Sequence, residues 1–175
     1  MTFNLNQSIE VLERTPPTLR ALLGGLSERW TMSNYGEKTF SPFDVVGHLI
    51  HADKTNWMVR TRLILEHGEA KTFPPFDRYA MYETSKGKTM ANLLDEFAAL
   101  RAKNLADLRA LNLTPQQFEL RGTHPDYGPA TLKNLLAAWT VHDLNHLHQI
   151  AKSMAFQYRD QVGKWRTYLT ILPRD

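Results

Sequence analysis

The chain contains no cysteine. That excludes disulfides, iron–sulfur clusters, cysteine-ligated zinc and a cysteine nucleophile. No apolar run approaches the roughly 20 residues a membrane helix needs. The N-terminal MTFNLNQSIEVLER lacks a basic stretch followed by an apolar one, so no signal peptide is expected. Charge of one sign is scarce as well: 21 Lys and Arg against 18 Asp and Glu leave +3 over 175 residues. Such a surplus is too small for a nucleic-acid footprint, and no basic stripe with interleaved aromatics is present. Strand signals are poor, with few β-branched runs, no alternating segments and no Asn-Gly turn. What remains is a chain of 42% apolar and 22% charged residues, near the globular average, which disfavours disorder. The expectation is a cytoplasmic protein forming one domain over 1–175, with a small-molecule substrate and neither nucleic acid nor membrane as partner.

The apolar pattern is helical throughout. Leu5, Ile9, Leu12, Leu19, Leu22 and Leu23 keep the helical period over about 3–23. Pro16-Pro17 predicts a kink or break there, because proline lacks the amide hydrogen and clashes with the preceding turn. Ser41 and Pro42 mark a second helix start, extending to about His67. A third helix begins at Thr89, with Leu93, Phe97, Leu100, Asn104, Leu108 and Leu111 on one face. A fourth starts after Gly128-Pro129, capped by Thr131, and reaches about Met154. The segment 162–172 reads as partly helical. Two long connections, about 24–40 and 68–88, suit either functional loops or aromatic covers over the bundle ends.

Seven histidines occur, and five fall in two short clusters. His142 and His146 are four residues apart, which places both on one helix face, one turn apart. Two imidazoles so placed can share a metal ion. The apolar stripe of that helix holds Leu132, Leu136, Trp139, Ile150 and Met154. His146 falls within it, His142 and Gln149 at its edge, and His148 on the opposite face. On the second helix, Val45, Leu49, Ala52, Val59 and Leu63 share a face, with His48 and Asn56 at its edge and His51 pointing away. Three imidazoles converging on a core need a partner, and a divalent metal with an open position would supply one. The plainer alternative is a set of hydrogen-bonded core histidines. Asp143 projects into the middle of the fourth stripe and must be paired, either to an imidazole or to a backbone or Trp N–H. H-D-L-N-H lacks the glutamate of the zinc-protease H-E-x-x-H. The di-iron Glu-x-x-His motif is absent.

The segments S-P-F-D-V-V-G-H-L-I (41–50) and H-D-L-N-H-L-H-Q-I (142–150), in a four-helix chain of this length, resemble the DinB-like family, which includes bacillithiol- and mycothiol-dependent enzymes. The ending Y-R-D-Q-V-G-K-W-R-T-Y-L-T-I-L is similar to one subgroup's tail, with Lys164 where Gly-Pro-Trp would place proline. The resemblance implies an all-α, up-down-down-up four-helix bundle, often a homodimer. It also implies a divalent metal, nickel or zinc, on His48, His142 and His146, while Gln149 matches a glutamine that follows the late histidine pair. His51 and His148 match no ligand. Relatives of known activity imply a metal-dependent S-transferase using a low-molecular-weight thiol. A metal-dependent hydrolase, a non-catalytic metal-binding bundle and a bundle without metal are the alternatives.

Overall fold

The computed structural model describes residues 2–172. Helix α1 (Leu5–Leu23) begins at Asn4, whose side chain accepts from the Gln7 amide. A single turn, α2 (Glu28–Thr31), follows. Helix α3 (Pro42–Thr55) opens on a reciprocal capping box between Ser41 and Asp44, with Pro42 in the first turn. Helix α4 (Trp57–His67) continues it after Asn56. The short α5 (Met81–Thr84) interrupts the long connection that leads to α6 (Met90–Ala110), which is capped by Thr89 and Asn92. Strands β1 (Arg121–His124) and β2 (Gly128–Thr131) form an antiparallel hairpin. Helix α7 (Leu132–Phe156) starts at the expected Thr131, paired in a capping box with Asn134. Gly163–Tyr168 form a 3₁₀ segment, and Leu172 is buried. Among the described residues, no helix is long and apolar enough to cross a membrane.

Ion-pair registers define the topology. Lys54–Glu96 and Arg62–Asp107 rise together along α3–α4 and α6, so these run parallel. Glu13–Arg109 and Arg20–Asp95 run oppositely, so α1 and α6 are antiparallel. His48 meets His146, and Trp57 stacks on Trp139, so α3–α4 and α7 are also antiparallel. The result is the expected up-down-down-up bundle. Helices α1 and α3 each pack against α6 and α7. One core cluster centres on Leu12, Ile64, Leu105, Leu136 and Trp139. The other centres on Leu19, Leu49, Phe97 and Ile150.

Three local expectations are corrected. The second helix does not run unbroken to His67. At Asn56 the backbone departs to φ −112°, ψ −77°, and the buried face shifts. Val45, Leu49 and Ala52 are buried as expected, but beyond the break the buried set becomes Trp57, Met58, Arg60, Thr61 and Ile64. Val59 and Leu63 are half-buried. Of the kink or break expected at Pro16-Pro17, the break does not occur, since α1 passes through both. Proline at 16 removes the amide that would bond Leu12, and the freed Leu12 carbonyl accepts instead from Arg101 Nη1 at 3.1 Å. The hairpin at 121–131 was unforeseen. Its strands are four residues each and include Gly122, Gly128 and Pro129, too short for a period-two pattern to emerge. Gly122 is required by packing, because a Cβ there would lie 2.6 Å from the Phe73 ring and 2.7 Å from Ile64.

Candidate metal centre

Capping at Ser41 fixes where α3 begins and so places His48 two turns along it, while Thr131 does the same for α7 and its His142–His146 pair. The antiparallel crossing of α3 and α7 brings the three rings together. Their centroids are 5.3 Å (His48–His142), 4.7 Å (His48–His146) and 4.3 Å (His142–His146) apart. His48 and His146 are buried and His142 is half-buried. One ligand atom from each lies within 4.8 Å of the others.

Outer hydrogen bonds set the tautomers. His48 Nδ1 is 3.2 Å from the Arg78 carbonyl, which can only accept, so the ring proton sits on Nδ1. His146 Nδ1 is 2.8 Å from Gln149 Oε1 and donates there. The Nε2 atoms of both rings are therefore bare lone pairs, and both face His142 Nε2, at 3.2 and 3.1 Å. A single proton on His142 Nε2 can satisfy only one of them. Protonating the rings does not solve the problem. Burial, followed by the charge of His142, lowers His48 to about 4 and His146 to about 3. A cation does solve it. Three nitrogens held roughly 2.0–2.1 Å from one ion at tetrahedral angles stand about 3.3 Å apart, close to the 3.2 and 3.1 Å that separate His142 Nε2 from those of His48 and His146. The donor set therefore fits a divalent metal, with nitrogen on three sides and the cleft on the fourth.

Behind His142 lies a buried charge cluster. Asp143 is fully buried, as its place in the α7 stripe required, and its partner is neither a Trp N–H nor an imidazole at hydrogen-bond distance. Arg101 Nη1 donates to Asp143 Oδ2 at 2.5 Å and Nη2 to Oδ1 at 3.2 Å. The same guanidinium forks onto Asp53 at 2.7 and 3.0 Å. His142 Nδ1, buried without a hydrogen-bond partner, is 4.0 Å from Asp143 Oδ1. Two carboxylates share one guanidinium at the back of the triad, and Asp143, kept ionised by His142 and Arg101, favours a cation in front of it.

The triad opens into a cleft of ≈ 620 Å³. Phe40 and Phe76 wall it, and Arg78, Asn145, His148 and Lys152 lie around it. His48, His142 and His146 thus meet as expected. His51 does not join them, its ring lying 5.1 Å from Phe76. His148 is exposed at the mouth, apart from the three. Arg101 lies in no motif of the sequence. The available signal was one cation on the buried stripe of α6, with Phe97 four residues before it and Leu105 four after, beside two acids on other buried stripes.

With the bundle and its triad in place, the class is defined: the chain belongs to the DinB superfamily, whose sequence model matches residues 11–150. Among solved structures it is similar to YfiT from Bacillus subtilis, described as a probable metal-dependent hydrolase with an unusual four-helix bundle topology. That likeness has a TM-score of 0.73 and 25% sequence identity, and covers 93% of this chain and 91% of YfiT. No curated protein matches the chain.

Proposed function

We propose that the protein is a divalent-metal-dependent enzyme in which His48, His142 and His146 hold the ion, nickel or zinc, and the cleft admits a small-molecule substrate. The observation that carries this reading is the convergence of three Nε2 atoms, two of them bare, within 3.2 Å of a neighbour. A metal bound there supplies Lewis-acid polarisation and favours the ionised form of a nucleophile in its open position. The protein's own part is to hold the rings in one tautomer through Arg78 and Gln149, to exclude water with Phe40 and Phe76, and to orient the substrate.

Two nucleophiles suit such a site. In H-E-x-x-H metallohydrolases a carboxylate base serves the metal-bound water, and among the described residues no carboxylate lines this cleft, so water here would rely on the metal alone for its ionisation. A low-molecular-weight thiol is far more acidic than water to begin with and ionises on a metal with less help. This favours thiol S-transfer: the S–H proton leaves, a sulfur–carbon bond forms and the leaving group departs with its electron pair. The description of YfiT favours the second reading, hydrolysis. Elemental analysis of untagged protein, beside His48→Ala and His142→Ala, tests the centre. About one ion per chain, lost in both variants, supports it. No ion after incubation with zinc and nickel overturns it. Turnover of electrophiles with and without thiol then separates the two chemistries.

A further inference from the structure

The charges around the cleft are of one sign. Arg78 and Lys152 both line it, with no aspartate or glutamate among its lining residues. Some cations of this protein are neutralised by carboxylates: Arg62, Lys88, Arg109 and Lys133 each make an ion pair. Arg78 and Lys152 make none among the described residues. Aromatic faces hold them instead. The Arg78 guanidinium lies 5.8 Å from the Phe40 ring centroid and 5.3 Å from that of Tyr79. Lys152 Nζ lies 4.7 Å from the Tyr35 centroid. Stacking of this kind orients a cation without neutralising it.

The metal sharpens the imbalance. Three neutral imidazoles leave a divalent ion its whole charge, so the occupied cleft carries two positive charges from the ion and one each from Arg78 and Lys152. The carboxylates of Asp53 and Asp143 are paired with Arg101, buried behind His142 and out of a ligand's reach. An uncharged substrate would leave this field unanswered, whereas an anion would be drawn in and oriented by it.

We propose that the cleft takes substrates bearing an oxyanion, a carboxylate or a phosphate, gripped by Arg78 and Lys152 while the reacting end of the molecule faces the triad. This rests on the metal-centre reading for the second half of the pose only. Arg78 and Lys152 recognise the substrate and take no part in bond making. Arg78 offers the planar fork that matches a carboxylate or phosphate pair of oxygens, and Lys152 adds a mobile point charge.

Paired probes with one metal-binding head test this. Acetohydroxamate, succinic monohydroxamate and the analogous phosphonate-tailed hydroxamate are titrated calorimetrically into zinc-loaded protein. The charged tails bind about tenfold or more tightly than acetohydroxamate, in line with hydrogen bonds to charged groups. That advantage collapses in Arg78→Gln and in Lys152→Gln, while acetohydroxamate binds all three proteins alike. The better of the two tails identifies the oxyanion. If acetohydroxamate binds and neither tail improves on it, the proposal is overturned with the metal centre intact. If no metal is retained, the metal-centre reading fails by itself. The oxyanion claim then stands or falls on titrating metal-free protein with inorganic phosphate and succinate. Binding lost in Arg78→Gln/Lys152→Gln upholds it, and no binding to the unmutated protein overturns it. Arg78 is exposed and hydrogen-bonds His48 through its backbone carbonyl, so its replacement leaves the triad's hydrogen bond in place.

Discussion

Arg101 and Asp143 face each other across the bundle, α6 to α7, through two hydrogen bonds of 2.5 and 3.2 Å, with both side chains essentially inaccessible. The guanidinium also lies over the Phe97 and Trp139 rings and donates to the Leu12 carbonyl that Pro16 leaves free. One side chain thereby joins all four long helices: α1 at Leu12, α3 at Asp53, its own α6, and α7 at Asp143. Burial works against every charge here, yet it is outweighed at two of them. Asp143 is held below the usual carboxylate range by its neighbours His142 and Arg101. Arg101 is raised by Asp53 and Asp143. Asp53 is pushed up by burial, against the pull of Arg101.

Removing one member of such a cluster strands the others. Arg101→Ala leaves two buried carboxylates without a counter-charge and costs about 3–5 kcal/mol, the range for breaking a buried pair. Arg109→Ala removes an exposed partner of Glu13 and costs at most about 1 kcal/mol. Urea denaturation of the two variants checks the contrast. Equal, small losses would mean that the cluster is not held as a unit.

The parts of the fold that were legible share a cause. Ser41, Thr89 and Thr131 announce helix starts because capping is local chemistry, decided within four residues. His48, His142 and His146 were legible because helical spacing and the family resemblance pointed to the same three positions. The break at Asn56 was not, because nothing within one turn of it departs from helical pattern. Its consequence, the rotation that buries Trp57 against Trp139, is tertiary. Pro16 invites a break that the helix survives for the same reason. Its local cost is real, but the answer to it is Arg101, 85 positions away in the chain. Asp143 required a partner from its place on the stripe, and only the packed bundle says that the partner is a guanidinium.

Packing at the unforeseen hairpin has its own test. A methyl group at 122 would stand 2.6 and 2.7 Å from two Phe73 ring carbons and 2.7 Å from Ile64 Cγ1. Phe73 is itself pinned by its amide to the Thr123 carbonyl at 2.9 Å. Gly122→Ala therefore overpacks the junction of β1 with α4 and costs about 1–3 kcal/mol. A thermal melt reads this, and an unchanged midpoint would show that the ring can yield.

Gln149 gives a test of tautomer control. Its Oε1 accepts from His146 Nδ1 at 2.8 Å and so keeps the lone pair on Nε2. Gln149→Leu removes the acceptor, frees the ring to rotate or change tautomer, and weakens metal affinity about 10–100-fold, the usual effect of losing such a partner. His148→Ala, one position away but exposed, leaves affinity unchanged. Competition against a chelator measures both. Equal affinities in Gln149→Leu and the unmutated protein would remove Gln149 from any role at the centre.

The metal-free protein should lose stability in mild acid. His48 and His146 titrate near 4 and 3 when folded and near 6.5 when unfolded. Above 6.5 both states are neutral at these rings and the pair contributes nothing to the pH dependence. Below 6.5 the unfolded chain takes up two protons that the folded chain refuses, so stability falls as pH drops towards 4. The slope approaches about 2.7 kcal/mol per pH unit for two protons, at about 1.36 per proton. Replacing His146 with glutamine removes one of the two and lowers the slope by up to about 1.36 kcal/mol per pH unit, while His51 and His124, lowered by burial as well, keep their smaller share. Urea midpoints of chelator-treated protein between pH 7 and 5 give the answer. A flat profile would mean that the rings accept protons when folded, and that the lone pairs facing His142 are not held as bare as their Nδ1 partners dictate.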